Sequence, residues 1–243
     1  MGNDQRIVLV TGASRGIGAA IARELAVGGY DIWLNYRSAD AAAEGVAADI
    51  QALGRCCRLL KFDVADPAAV NEALEPLLVD ETPFDLVHNA GITRDGLMAM
   101  MSDDDWQRVL AVHLNGFFHV TRPLVRAMLS ARRGRIVAVA SVSGETGQAG
   151  QTNYAAAKGG MIAAVKSLAR EVAKRNILVN AVTPGMIDTE MIQGLPLDEM
   201  LKLVPLGRVG TPCEVSGVVR FLLSEAAGYI TGQVIGINGG LHM

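Results

Sequence analysis

Tyr154 and Lys158 stand four residues apart in Asn153-Tyr154-Ala155-Ala156-Ala157-Lys158, an alanine-rich stretch of high helix propensity. At that spacing both side chains lie on one helix face. A phenol with an unperturbed pKa of about 10 is a poor acid at neutral pH. An ammonium ~4–5 Å away, at an effective dielectric of ~20, stabilises the phenolate by roughly 3–4 kcal/mol, or about two to three pK units. The pair could then serve as a proton donor poised near neutrality. The same spacing is common on helix surfaces as a plain solvated pair. Ser141, in Val139-Ala140-Ser141-Val142-Ser143-Gly144, closes a strand-like run. A hydroxyl there could hold a carbonyl oxygen, or merely cap a turn; Ser143 is a weaker candidate for the same work.

A second group of residues could hold a phosphate. Thr11-Gly12-Ala13-Ser14-Arg15-Gly16-Ile17-Gly18 follows the apolar run Ile7–Val10 directly and opens a helical stretch. Glycines permit a tight turn and close backbone approach, and a helix N-terminus offers free N–H groups and partial positive charge. The spacing is G-x-x-x-G-x-G rather than G-x-G-x-x-G. Ordinary strand–helix turns also carry glycines, but a position straight after the first strand favours a pyrophosphate. The second strand-like run ends Leu34-Asn35-Tyr36-Arg37-Ser38 with no acid for a ribose 2′-hydroxyl. Arg37, with Arg15 near it, could instead pair with a 2′-phosphate, which favours NADPH/NADP+. The other reading makes Arg37 a solvated loop residue.

The elements that must position these groups are legible in the pattern. Ile7–Val10, Asp31–Tyr36, Cys56–Phe62, Asp85–His88, Gly134–Ala140, Ile177–Val182 and Val234–Ile237 read as strands. Their apolar cores are continuous, as in strands buried on both faces of a parallel sheet. Helical stretches separate them, two opening with Pro at the first position, at Asp66-Pro67 and Thr211-Pro212. Repeated strand–helix alternation implies right-handed βαβ units. The expected fold is α/β: a Rossmann-type, doubly wound, seven-stranded parallel sheet with helices on both faces, one domain over 1–243. The Pro- and Gly-rich stretch from Thr183 to Gly210, with Pro196 and Pro205 in it, reads as a lid, centred on 186–210.

Half of the 243 residues are apolar and the net charge is −3. That gives no footprint for nucleic acid or an anionic membrane. The three cysteines, Cys56, Cys57 and Cys213, form no framework, and no Cys/His cluster suggests a metal. The start, Met1 to Arg6, runs into Ile7 without an apolar leader region. Arg6 stands where a myristoylation signal needs Ser or Thr. No apolar run is long enough to span a bilayer. A cytoplasmic location is the expectation.

Taken together, the glycine motif, His88-Asn89-Ala90-Gly91, Ser141, Tyr154, Lys158 and Pro184-Gly185 resemble the short-chain dehydrogenase/reductase family, in the family's order and over essentially the whole chain. The resemblance implies that Ser141 orients a carbonyl, Tyr154 protonates it, and Lys158 binds the nicotinamide ribose and lowers the tyrosine pKa. It implies that Asp63 and Val64 contact the adenine, that Asn89, Ala90 and Gly91 line the cofactor, and that Ile187 and Thr189 contact the carboxamide. Within the family, Asn89 to Asp95, Gly150 to Tyr154, Ser167 to Ala173 and the ending Tyr229 to Gly240 are most similar to 3-oxoacyl-acyl-carrier-protein reductases, a group typically homotetrameric and NADPH-dependent.

Two positions depart from the family pattern. His88 stands where an asparagine is usual. His113 stands at the family's catalytic asparagine, which helps hold a proton-relay water, while Asn115 would face another way on a helix. The His113 carbonyl could still hold that water and its imidazole could carry protons, or the ring could be structural.

Lys166, Arg170 and Lys174 step along one helical stretch and Arg122 and Arg126 along another. Such stripes are usually solvated faces, but they would also steer an acidic acyl carrier protein. The resemblance assigns Arg126 and Arg170 to that contact. Three functions follow: an NADPH-dependent 3-oxoacyl thioester reductase of fatty-acid or polyketide-type elongation, a reductase of another small carbonyl, or a cofactor-binding partner subunit with little activity of its own.

Overall fold

The computed structural model describes residues 6–80, 85–192, 194 and 197–243. Among them are seven strands: β1 (Ile7–Val10), β2 (Asp31–Tyr36), β3 (Cys57–Lys61), β4 (Asp85–His88), β5 (Gly134–Val139), β6 (Ile177–Pro184) and β7 (Val234–Ile237). Every pairing is parallel, in the order β3-β2-β1-β4-β5-β6-β7. The sheet is thus wound outward in both directions from β1 and β4, which makes the fold the Rossmann-type α/β domain expected. The helices are α1 (Gly16–Val27), α2 (Asp40–Ala52), α3 (Pro67–Asp80), α4 (Asp103–Leu110), α5 (Gly116–Ala131), the short α6 (Ser143–Thr146), α7 (Thr152–Val172), the short α8 (Leu197–Leu201) and α9 (Pro212–Leu223). None among the described residues is long and apolar enough to cross a membrane.

The continuous apolar strands supply two cores. In β1, Val8 and Val10 pack with α1, α2 and α9, whereas Ile7 and Leu9 pack with α3, α5 and α7. A run with no polar alternation is what a strand covered on both faces requires. Strand ends differ from the sequence reading by one or two residues. The sixth runs on to Pro184 because Ala181–Pro184 pair with Val234–Ile237, a long-range partner that local composition does not reveal. The N-terminal residues Met1 to Gln5, and Gln193, Leu195 and Pro196 of the 186–210 segment, lie outside the described residues.

The amino end of β4 carries a buried charge. Asp85 opens β4, is 1% exposed, and receives a hydrogen bond from Arg6 at 2.9 Å. Burial nevertheless outweighs the attraction of Arg6 and Arg135 and lifts its carboxyl to about 6. A raised folded-state pKa means that the folded chain holds the Asp85 proton more tightly than the unfolded one. Asp85 therefore contributes most below about pH 4, and that contribution is lost as pH rises to 6. Chemical denaturation of the wild type against Asp85→Asn should show the wild type losing about 3 kcal/mol relative to the variant over that window.

Candidate active site

The site forms where the winding reverses, beyond the carboxyl ends of β1 and β4, the usual ligand crevice of such sheets. Two loops are tied together there. Asn89 donates its side-chain amide to the carbonyls of Thr11 and Gly12 at 3.0 and 3.1 Å. The Thr11 hydroxyl accepts from the N–H groups of Asn89 and Ala90. Gly12 has φ +63°, and a Cβ there would stand 2.8 Å from the Ala90 Cα. A Cβ on Gly18 would stand 2.3 Å from the Gly12 carbonyl oxygen. Arg15, at the N-cap of α1, makes no side-chain capping bond, so no capping side chain covers that end of the helix. This cradle of bare backbone and an uncapped helix fits a dinucleotide pyrophosphate, with Ser14 and Ile17 half-buried beside it.

The sheet edge on the β2–β3 side carries Arg37, Asp63 and Val64. Arg37 is exposed, and its guanidinium stands 3.9 Å from the Asp63 carboxylate. A much closer partner comes from α4: Arg108 donates to the same Asp63 oxygen at 2.6 Å. Burial alone would raise the Asp63 carboxyl, but the Arg108 bond and the Ala65 N–H more than offset it and hold it below its ordinary range. Arg15 meets the exposed carboxylate of Glu190 at 2.8 Å. Sequence reading missed Arg108 and Glu190, because each partner is distant in the chain and neither residue belongs to a motif.

The catalytic candidates arrive from β5 and α7. Tyr154 and Lys158 do share a face near the start of α7, with the ammonium nitrogen 5.6 Å from the phenol ring centroid. Both are buried, at 9% and 3% exposure. The end of α7 is pinned by Asn153, whose amide donates to the Arg94 and Asp105 carbonyls. A Cβ on Gly144 would strike Lys158 Cβ at 2.7 Å, so glycine lets the turn after Ser141 pack directly on this helix. The Ser141 hydroxyl oxygen accepts from the Ser143 N–H, leaving its proton to donate. Ser143 is spent elsewhere, donating to Gln151 at 3.0 Å. Of the two hydroxyls, that of Ser141 is the one left with a proton to offer.

The electrostatic expectation for the pair needs correcting. Burial of both groups opposes the expected lowering of the phenol. Burial pushes Tyr154 up to about 12, against a smaller downward pull from Ser141. Burial also pushes Lys158 down to about 7. Attraction between the two groups alone would lower the phenol, but each is also desolvated. In the fold Lys158 is turned to the Val139 carbonyl, donating to it at 2.6 Å.

His113 and His88 are buried. Between α4 and α5 the chain makes a π-helical turn over Ala111–Asn115, an irregularity common at functional sites. It turns His113 inward and leaves Asn115 exposed. The His113 Nε2 lies 2.8 Å from the Ile92 carbonyl and 3.1 Å from the Ile92 N–H, and its ring meets Tyr154 edge-on at 5.1 Å. Burial, reinforced by Lys158, holds the imidazole well below its ordinary pKa, so it is neutral. His88 Nδ1 stands 3.4 Å from the Thr11 hydroxyl, and burial takes that ring down to about 3.

Thr183, Pro184 and Ile187 are buried at the mouth of β6, while Gly185 and Thr189 are half-buried. The 186–210 segment is clipped at its base, where Asp188 N–H donates to Gly210 and Gly210 N–H to Met186. Arg126 and Arg170 are exposed on α5 and α7. Arg170 lies about 24 Å along α7 from Tyr154 at 1.5 Å per residue. The fold therefore does not bring it to Tyr154 of its own chain.

Residues 12–242 match the family model described as enoyl-(acyl carrier protein) reductase. The chain is 47% identical to the 3-oxoacyl-(acyl-carrier-protein) reductase FabG of Aggregatibacter actinomycetemcomitans, over 96% of this chain and 98% of that protein. It is 42% identical to the FabG of Escherichia coli (strain K12) over the whole of both chains. To the 3-oxoacyl-(acyl-carrier-protein) reductase of Synechocystis it is 43% identical over 98% of this chain and 97% of that protein.

Proposed function

We propose that this chain, which belongs to the short-chain dehydrogenase/reductase family and so works with a nicotinamide cofactor, reduces 3-oxoacyl thioesters on an acyl carrier protein to 3-hydroxyacyl thioesters with NADPH. The setting is fatty-acid or polyketide-type chain elongation in the cytoplasm. One observation carries the reading: full-length likeness to reductases of that substrate in a chain whose Ser141, Tyr154 and Lys158 converge beside a glycine cradle.

Bound NADPH would supply a hydride for the C3 carbonyl carbon. Ser141 donates its free proton to the carbonyl oxygen and fixes its direction. Tyr154 then gives its phenolic proton to that oxygen as negative charge develops. Lys158, as the ammonium, stabilises the resulting phenolate and passes a proton back to it. The neutral His113 ring buttresses Tyr154 edge-on and keeps the phenol pointed at the carbonyl. Arg15 and Arg37 hold the 2′-phosphate, so Arg15 exchanges Glu190 for the ligand. Asp63 and Val64 face the adenine, Asn89, Ala90 and Gly91 line the dinucleotide, and Pro184, Gly185, Ile187 and Thr189 border the carboxamide.

The 186–210 segment acts as the substrate lid of the single domain. A cavity of about 220 Å³ behind it, lined among others by Val204, Leu206 and Asn238, gives it space to shift. Arg126 and Arg170 receive the acidic carrier. Since Arg170 stands far from its own Tyr154, the pair serves the entrance of a neighbouring copy in a homotetramer.

Steady-state NADPH oxidation tests this. Turnover of an acetoacetyl thioester on acyl carrier protein is expected, with kcat/KM falling on combined Arg126→Ala and Arg170→Ala. No oxidation of NADPH with any carrier-bound 3-oxoacyl chain would overturn the proposal.

A further inference from the structure

The arginines expected to hold a 2′-phosphate each face a carboxylate in the fold, and the two cases differ. The Arg15–Glu190 pair is open to water on both sides, with side chains 69% and 65% exposed. Such a pair is worth little and exchanges readily for a dianion. Asp63 is less exposed and stands 3.9 Å from Arg37. Were it free, it would close on Arg37 and remove that charge from the ligand. It is not free. One of its oxygens accepts the Ala65 N–H at 2.9 Å, and the other accepts Arg108 at 2.6 Å. Arg108 reaches it from α4, across the cleft end of the sheet and 45 positions along the chain.

We infer that Arg108 sets the cofactor preference by holding the Asp63 carboxylate off Arg37, which leaves Arg37 for a 2′-phosphate. Arg108 is a positioning residue that acts through Asp63. The inference rests on the NADPH reading above. It also explains how an acidic residue can sit beside the phosphate end of the cleft without excluding a dianion: Arg108 both occupies and neutralises it.

Calorimetric titration of the full-length protein with 2′,5′-ADP and, separately, 5′-AMP tests this without turnover. The readout is the ratio of the two affinities, since changes to adenine packing affect both ligands alike. The wild type should favour 2′,5′-ADP. Arg108→Ala should lower that ratio about tenfold, the scale of one charge-assisted contact. Arg108→Gln, which keeps most of the length, should do the same. Adding Asp63→Asn to Arg108→Ala should restore most of the ratio, which a merely structural role for Arg108 would not allow. An unchanged ratio in both Arg108 variants, or no recovery in the double variant, overturns the inference and leaves the NADPH reading standing. A wild type that binds the two ligands equally overturns both.

Discussion

Tyr154→Phe is expected to lower kcat for thioester reduction by about 10³-fold while leaving cofactor affinity within about twofold. The substitution removes one hydroxyl from a buried ring whose edge-on contact with His113 at 5.1 Å does not need it. The fold and the glycine cradle should therefore be untouched, and thermal melting should stay close to wild type. What is lost is the phenolic proton proposed as the donor to the carbonyl oxygen. Stopped-flow hydride transfer and cofactor titration together make the check. Retention of more than a tenth of the wild-type rate would remove Tyr154 from the mechanism.

The same site carries a pH signature. In the cofactor-free protein Lys158 sits near 7 and Tyr154 near 12. The proposed mechanism needs Lys158 as the ammonium and Tyr154 as the phenol. The wild-type kcat/KM for the cofactor, which reports groups of the free enzyme, should accordingly fall as pH rises through about 7. Tyr154 stays protonated across that range and adds no second inflection. The residual rate of Tyr154→Phe should lack the fall, because the lysine no longer has a phenolate to serve.

Gly18→Ala carries the second large effect. A methyl there would lie 2.3 Å from the Gly12 carbonyl oxygen and 2.5 Å from the Asn89 side-chain nitrogen. Neither is the loose end of a flexible chain, since that nitrogen is the one that ties the two loops together. Relief must push the loop after β1 away from the loop after β4, breaking both Asn89 bonds. Overpacking plus two lost part-buried hydrogen bonds should cost about 3 kcal/mol of stability. Cofactor affinity should fall more than about tenfold, because the pyrophosphate cradle is the part displaced. Gly45→Ala is the matched comparison. Gly45 lies in the exposed face of α2 with nothing within 4 Å of its Cβ position. There alanine should be neutral or stabilise by up to about 1 kcal/mol. Denaturant unfolding of both variants checks the pair; equal effects would mean that the tie between the loops does not limit stability.

Much of the molecule was legible in the chain because the signals are local. Continuous apolar runs announced strands buried on both faces, and Pro67 and Pro212 marked helix starts within a residue. The glycine loop, Ser141 and the four-residue step from Tyr154 to Lys158 lie where backbone geometry alone carries them, at strand ends and on one helix face. The inward turn of His113 and the exposure of Asn115 also followed from their two-residue offset, although the π-helical turn that accommodates it did not.

What the sequence by itself determined, then, is the alternation of elements, the loop that can cradle a pyrophosphate and the candidates for the reacting groups, since each depends on neighbours a few residues away. Only the tertiary structure decided how those groups ionise and whom they pair with. Lys158 and Tyr154 are desolvated by several elements at once, which reversed the expected shift of the phenol. Arg108 meets Asp63 only because α4 packs across the end of the sheet. Solvation and ion pairing depend on atoms that the chain brings together from far apart, and no local pattern encodes them.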